Sequence, residues 1–449
     1  MLLMSGTTVV NAQPFGPQNI ISLSAAGATS VHAGDLDGDG DMDVLSSSTA
    51  DNEIAWYAND GAGGFGPQQI ISDVAFGAYR VTCADLDGDG DQDVLSASQS
   101  NDMIAWYPNN GAGTFGPRQV ISTLPDQPFC VVTADLDGDE DLDVLTNAYN
   151  GDEISWFAND GAGVFGEQHV ISTLTDGPRM VVSADIDGDG DMDVLSASEF
   201  DDKVAWYAND GAGVFGPQLI ISSTTNGPRC VSAGDLDGDG DLDVLAAAYI
   251  GSDIYWYAND GSGAFGPQLL ITSVTVGPNT VIPVDIDGDG DADVLSASEA
   301  DDVVAWYAND GSGNFGPQQV ITDLANNVVN ATAADVDGDG DLDVLSASFA
   351  DSEIAWYQNL NLTTEIPFVT AEHVAPFPNP MSDNVTVFLG QTGGPVSVEI
   401  FDAQGRSVRV QQHLVQQHRI TVLRKGLPPG PYVLRIIGTD RSEAKLYME

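Results

Sequence analysis

Seven times along the chain, always fifty residues apart, aspartates recur as D-x-D-G-D-G-D-x-D, the copies beginning at Asp35, Asp85, Asp135, Asp185, Asp235, Asp285 and Asp335, with Glu140 replacing the second glycine of the third copy. Five carboxylates within nine residues repel one another unless a cation sits among them. In the first copy Asp35, Asp37 and Asp39 occupy positions 1, 3 and 5, the main-chain carbonyl of Asp41 position 7, and Asp43 closes the shell at position 9. Hard oxygen donors in that number suit calcium better than zinc, which prefers nitrogen and sulfur, or magnesium, which keeps its waters. The same offsets select Asp85, Asp87, Asp89, Asp91 and Asp93, then Asp135, Asp137, Asp139, Asp141 and Asp143, then Asp185, Asp187, Asp189, Asp191 and Asp193. They continue through Asp235, Asp237, Asp239, Asp241 and Asp243, Asp285, Asp287, Asp289, Asp291 and Asp293, and Asp335, Asp337, Asp339, Asp341 and Asp343. Up to seven structural calcium ions are expected. No helical EF-hand is present, because the twelfth position, a glutamate there, is Ser46.

The elements that must hold these loops are strands. In the unit around Asp185, Val181 and Val182 lead into the loop, Val194 and Leu195 open a second strand ending in Ser196 to Ser198, and Val204 to Tyr207 form a third. Asn209-Asp210-Gly211 is a hairpin signal, and a fourth strand carries Phe215, Ile220 and Ile221. Four short strands per unit without helical periodicity describe a propeller blade, and seven units close a ring. The expected fold is all-β: a seven-bladed propeller of four-stranded blades, with a small C-terminal Ig-like β-sandwich. The chain enters on a fourth strand, Phe15 to Ser22, and leaves the repeats after a third, at Trp356 and Tyr357. Pairing those two would lock the ring and hide a bare edge.

Charge marks a boundary. Before residue 360 lie 60 of the 68 acidic residues but only 5 of the 13 basic ones, so the repeats carry the whole formal charge of −55 and the remainder none. Such a body repels nucleic acid and acidic lipid, and both are excluded as main partners. No apolar run is long enough to span a membrane. Cys83, Cys130 and Cys230, an odd number, do not form a disulfide framework. The expected organisation is a signal-peptide remnant over 1–12, the propeller over 13–359, a linker over 360–370 and a further domain over 371–449.

Within the repeats, Trp56, Trp106, Trp156, Trp206, Trp256, Trp306 and Trp356 share one position, as blade-to-blade packing requires. The loops before the first strand and after the second differ between units and share the face opposite the aspartate loops. There lie Tyr79, Arg80, Phe129, Arg179, Arg229 and Tyr249, with Tyr149, Phe200 and Phe349, and this is the expected ligand face, for an anionic or sugar ligand. G-x-S-x-G, H-E-x-x-H and a Walker loop are all missing, and the unbroken spacing leaves no inserted loop for an active site. Non-catalytic binding of a protein or glycan is the reading. Its alternative is a polysaccharide lyase acting on uronate sugars through Arg179 and Arg229.

The repeats, with their F-G-P element at Phe15 and then every fifty residues to Phe315, resemble the FG-GAP and related calcium-binding repeats of integrin α-subunit propellers and secreted bacterial proteins. That resemblance implies structural metal on the face away from the usual ligand surface, but not a function. Pro378 to Pro380, Val385 and Val387, Val396 to Ile400 and the L-P-P-G-P-Y of Leu427 to Tyr432 resemble the type IX secretion sorting domain of Bacteroidetes. Its presence implies contact with outer-membrane secretion machinery and a destination outside, or on the outer surface of, a Gram-negative cell. The third loop, Asp135 to Asp143, is expected to bind calcium least well of the seven, since Glu140 in place of glycine must adopt a left-handed backbone or open the loop.

Overall fold

A computed structural model of the chain describes residues 15–360 and five strands between residues 384 and 437. The proposed signal remnant, 1–12, and the linker from 361 to 370 lie outside the described residues. Two compact units result, Met1–Asn361 and Leu362–Glu449.

The first unit is a ring of seven four-stranded antiparallel sheets. In the first blade these are Ala28–Gly34, innermost, then Asp43–Ser48, Glu53–Tyr57 and, outermost, Gln69–Ser72. The second strand is buried along its full length in every blade because both its faces meet neighbouring blades. Val44 and Leu45 accordingly belong to different apolar clusters, Val44 facing back to the last blade and Leu45 forward to the second. The core is thus seven inter-blade layers, as expected when no blade can bury its own faces alone.

Closure follows the expected route. Phe15–Ser22 runs antiparallel to Glu353–Asn359, with Phe15 opposite Asn359 and Gln18 opposite Tyr357, and Gln18 hydrogen-bonds Glu353. The last blade is therefore completed by the first strand of the ring.

All seven tryptophans are buried, at 4–7% exposure. A hypothetical Cβ on Gly213, in the turn of the fourth blade, would lie 2.5 Å from Cζ2 of Trp156 in the third. Glycine, at φ 71°, is the residue that lets the indole pack closely against that turn. The tryptophans are blade-to-blade packing, as their spacing indicated.

The second unit holds two antiparallel sheets: Asn384–Phe388 beside Arg419–Leu423, and Pro395–Asp402 between Ser407–Leu414 and Tyr432–Ile437. Two of these strands, Ser407–Leu414 and Arg419–Leu423, were not read from the sequence.

Candidate functional site

Each aspartate loop joins an innermost strand to a second strand, so all seven lie on one face of the ring. Asp35 sets the coil: its Oδ1 accepts the amide of Gly38 at 2.8 Å and its Oδ2 that of Gly40 at 3.1 Å, while Asp39 Oδ1 accepts the amide of Asp41 at 3.0 Å. Those bonds wind the chain tightly enough for three carboxylates of each loop to converge. Ligand-capable oxygens of Asp35, Asp37 and Asp39, and of Asp85, Asp87 and Asp93, all lie within 4.8 Å of one another, and five similar clusters occur among the described residues.

One atom in these clusters is out of balance. Oδ1 of Asp37 is buried with no hydrogen-bond partner among the described residues, and so are the matching atoms of Asp87, Asp137, Asp187, Asp237 and Asp337. A buried carboxylate oxygen left without a donor is costly, so a cation is the partner these six positions fit. Burial, then repulsion from Asp39, pushes the Asp37 carboxyl above its usual range, and the other position-3 aspartates shift the same way. The acidic clusters of the repeats are able to hold metal ions.

The ninth position does more than the sequence indicated. Asp43 is fully buried, its Oδ2 accepting the amide of Leu36 at 2.9 Å and its Oδ1 that of Asn59 at 2.8 Å. It therefore ties the loop to the hairpin between third and fourth strands of its own blade. Asn59 in turn donates from Nδ2 to the carbonyls of Met42, at 2.9 Å, and of Val336, at 2.7 Å, in the neighbouring blade's loop. Corresponding bonds run from Asn109 to Leu36, Asn159 to Leu86, Asn209 to Leu136, Asn259 to Ile186, Asn309 to Leu236 and Asn359 to Ile286. A complete circle of staples results. Its signal was an asparagine in every unit, read only as a turn residue.

The hairpin is also longer than Asn209-Asp210-Gly211 suggested. Asn209 bridges Phe215, and Asp210 Oδ1 holds the intervening loop by accepting the amides of Ala212 and Val214.

Glu140 resolves its dilemma by strain. Its φ is 75°, where the glycines at the same position have 93–99°, and its amide still donates to Asp135 Oδ2 at 3.0 Å. The loop stays closed. Added Cβ atoms on Gly40, Gly90 and their equivalents meet nothing within 4 Å, so the cost lies in the backbone and not in crowding.

On the opposite face, Tyr149, Phe200, Tyr249 and Phe349 lie in turns after second strands, but Tyr79, Arg80, Phe129, Arg179 and Arg229, also expected in loops, sit instead at or just before the first residues of innermost strands, such as Ala78–Ala84, Pro178–Ala184 and Pro228–Gly234. That placement is a correction with a consequence: innermost strands surround the axis, so Tyr79, Arg80, Phe129, Arg179 and Arg229 converge on one axial mouth. The Arg179 guanidinium carbon lies 4.1 Å from the Phe129 ring centre, 5.3 Å from that of Tyr79 and 5.6 Å from that of Tyr149, and its Nη2 donates to Tyr79 Oη at 2.8 Å. Arg229 stacks on Tyr249 at 3.3 Å and pairs with Glu199 at 2.9 Å and Glu299 at 3.2 Å. Tyr149 donates to Glu199 and leads outward to Phe200, 5.3 Å between ring centres. The sequence singled out neither glutamate, because their pairing crosses three blades.

Deeper, burial and then the charge of Arg80 hold His32 neutral, its pKa down at about 4. Cys130 and Cys230 are buried free thiols; burial pushes Cys230 up to about 11.

Residues 35–96, 85–146, 137–196, 185–246, 245–296 and 285–346 match the FG-GAP-like repeat. Residues 375–447 match the secretion system C-terminal sorting domain, which marks proteins carried by the type IX system to the cell surface or beyond and implies interaction with that machinery. No curated protein matches the chain. Among solved structures, a lectin of Agrocybe aegerita specific for non-reducing terminal N-acetylglucosamine is similar at 19% identity and TM-score 0.52, over 75% of this chain and 87% of the lectin. Virginiamycin B lyase of Staphylococcus aureus is similar at 14% identity and TM-score 0.53, over 77% of this chain and 99% of the lyase. At such identities only the propeller fold is shared. With six matches running from residue 35 to residue 346, the chain belongs to the FG-GAP-like repeat family.

Proposed function

We propose that this secreted or surface-displayed propeller is a non-catalytic binding module, rigidified by up to seven calcium ions on one face and recognising a protein or glycan at the axial mouth on the other. The observation that carries this reading is the contrast between the faces. One repeats in every blade and leaves an inward carboxylate oxygen without a donor in six of them; the other differs in every blade and gathers aromatic and arginine side chains.

Asp35, Asp37, Asp39 and the carbonyl of Asp41 would hold the first ion, with Asp43 behind them. Bound calcium supplies positive charge that offsets carboxylate repulsion. The chain's own part is to keep the loop coiled through the Asp35 and Asp43 bonds, so that the donors are assembled in advance.

Two features support binding over turnover. An elimination on a uronate needs a poised base, yet burial and then Glu199 push the Tyr149 phenol up to about 12, away from that role. Arg229, one of the two arginines of the lyase alternative, is committed to two glutamates. The relatives with a similar fold include both a lectin and a lyase, so likeness of fold does not choose between them.

Calorimetric titration of chelator-treated protein with calcium, followed by a glycan and protein-ligand survey of the loaded form, tests both halves. Calcium uptake that raises the melting temperature is expected, since ligand at 100 times its Kd adds about 2.7 kcal/mol per site. A melting curve indifferent to calcium sinks the metal half. Survey hits with affinities unmoved by Arg179→Ala sink the mouth as the recognition surface.

A further inference from the structure

The axial mouth carries more positive charge than its surroundings neutralise. Of its three guanidinium groups, only Arg229 has carboxylate partners among the described residues. Among the described residues Arg179 makes one side-chain hydrogen bond, to the Tyr79 hydroxyl, and the Arg80 guanidinium makes no hydrogen bond or ion pair. On a chain of net charge −55, two arginines facing one cavity without an anion are conspicuous.

We propose that the mouth receives a carboxylate borne on a sugar ring, the end of an acidic glycan, with Arg179 and Arg80 taking the carboxylate while Tyr149 and Phe200 support the ring. This rests on the binding-module reading above and names the chemistry of its ligand. A guanidinium matches a carboxylate with two parallel N–H donors, which a lysine cannot do. Arg179 is already fixed among three aromatic rings, so little side-chain freedom remains to be lost on binding. The cavity measures about 30 Å³. That space admits a head group and excludes a sugar ring, so the ring lies at the rim, where Phe200 is 61% exposed beside Tyr149. A dense polyanion is repelled by the rest of the body, whereas a single acidic terminus within a Debye length of the arginines is not.

The test titrates the full calcium-loaded chain with a trimer of galacturonic acid, its methyl ester, a neutral trisaccharide and a sulfated trisaccharide. The acid is expected to bind, and the ester and neutral sugar to bind about 10- to 100-fold more weakly, as loss of a charge-assisted hydrogen-bond pair implies. Arg179→Lys and Arg80→Gln lose a similar factor, while Arg118→Gln, at the exposed outer rim, leaves affinity unchanged. Melting curves of each variant separate lost binding from lost fold. Equal affinity for acid and ester, equal affinity of the arginine variants and the parent, stronger binding of the sulfated sugar, or no binding of any probe overturns the carboxylate assignment. The first two outcomes leave the mouth a binding surface if Phe129→Ala still weakens the ligand. Release of an unsaturated product supports carboxylate recognition and instead overturns the non-catalytic reading on which it rests.

Discussion

Asn59 donates a 2.7 Å hydrogen bond to the carbonyl of Val336, 277 residues away in sequence, and so fastens the first blade to the last. The bond is the same one that Asn109 makes with Leu36 across a joint the chain crosses covalently. Ring closure therefore relies on two devices at once, the paired strand Phe15–Ser22 on the outside and the asparagine staple beneath.

Removing one staple should loosen the ring without touching an aspartate. Asn209→Ala strips the donors from the carbonyls of Leu136 and Met192, and the loss is expected to be about 2 kcal/mol. A lowered melting temperature with calcium stoichiometry unchanged is the outcome sought. No change in melting would show the staple to be ornamental.

Acidity should act on the calcium-free protein against the usual direction. Burial raises Asp43, Asp93, Asp143, Asp193, Asp243 and Asp293 from 3.8 to about 6, and Asp343 to about 7. Between those values the metal-free folded ring keeps protons that the unfolded chain has released. Their contribution to stability is full below the unfolded pKa and is lost as pH rises through the folded one. Calcium favours the charged form and opposes this loss. Chelation should thus lower the melting temperature more at pH 7.5 than at pH 5, and a chelator effect that does not grow with pH contradicts the account.

Relief of strain is the expected result of Glu140→Gly. The left-handed backbone of a non-glycine costs about 1–2 kcal/mol, part of which glycine returns through its greater freedom when unfolded. A net gain of about 1 kcal/mol in calcium-loaded stability, and one calcium site tighter than in the parent, should appear together in calorimetry. An unchanged binding isotherm would show that the third loop already binds as well as the others.

Crowding should do the opposite at Gly213. A methyl group there meets the Trp156 ring at a positive φ, so Gly213→Ala is expected to cost about 2 kcal/mol or more. Tryptophan fluorescence reports the shift of the indole directly. Native emission and native melting together would refute the packing described.

The ring was legible because its unit is local: strand pattern, turn and aspartate loop all fall within fifty residues and repeat. Closure was legible for the same reason, since Phe15 to Ser22 is visibly a fourth strand without its first three. What stayed hidden lies between units. Asn59 and Val336, Arg229 and Glu299, and Trp156 and Gly213 meet only after the blades are set side by side, and no spacing along the chain announces which atoms face across a joint. The mouth shows the same limit: Arg179 and Tyr79 stand 100 residues apart, and only the inward course of the first strands brings them together.

Because Phe15 lies opposite Asn359 and every joint carries the same staple, the propeller's two ends mark an arbitrary nick in a circle. Bridging that nick with a short tether and opening the backbone at another seam would give a circular permutant in which all seven interfaces survive. The ring's stability thus lies in its joints and not in the place where its strand order begins.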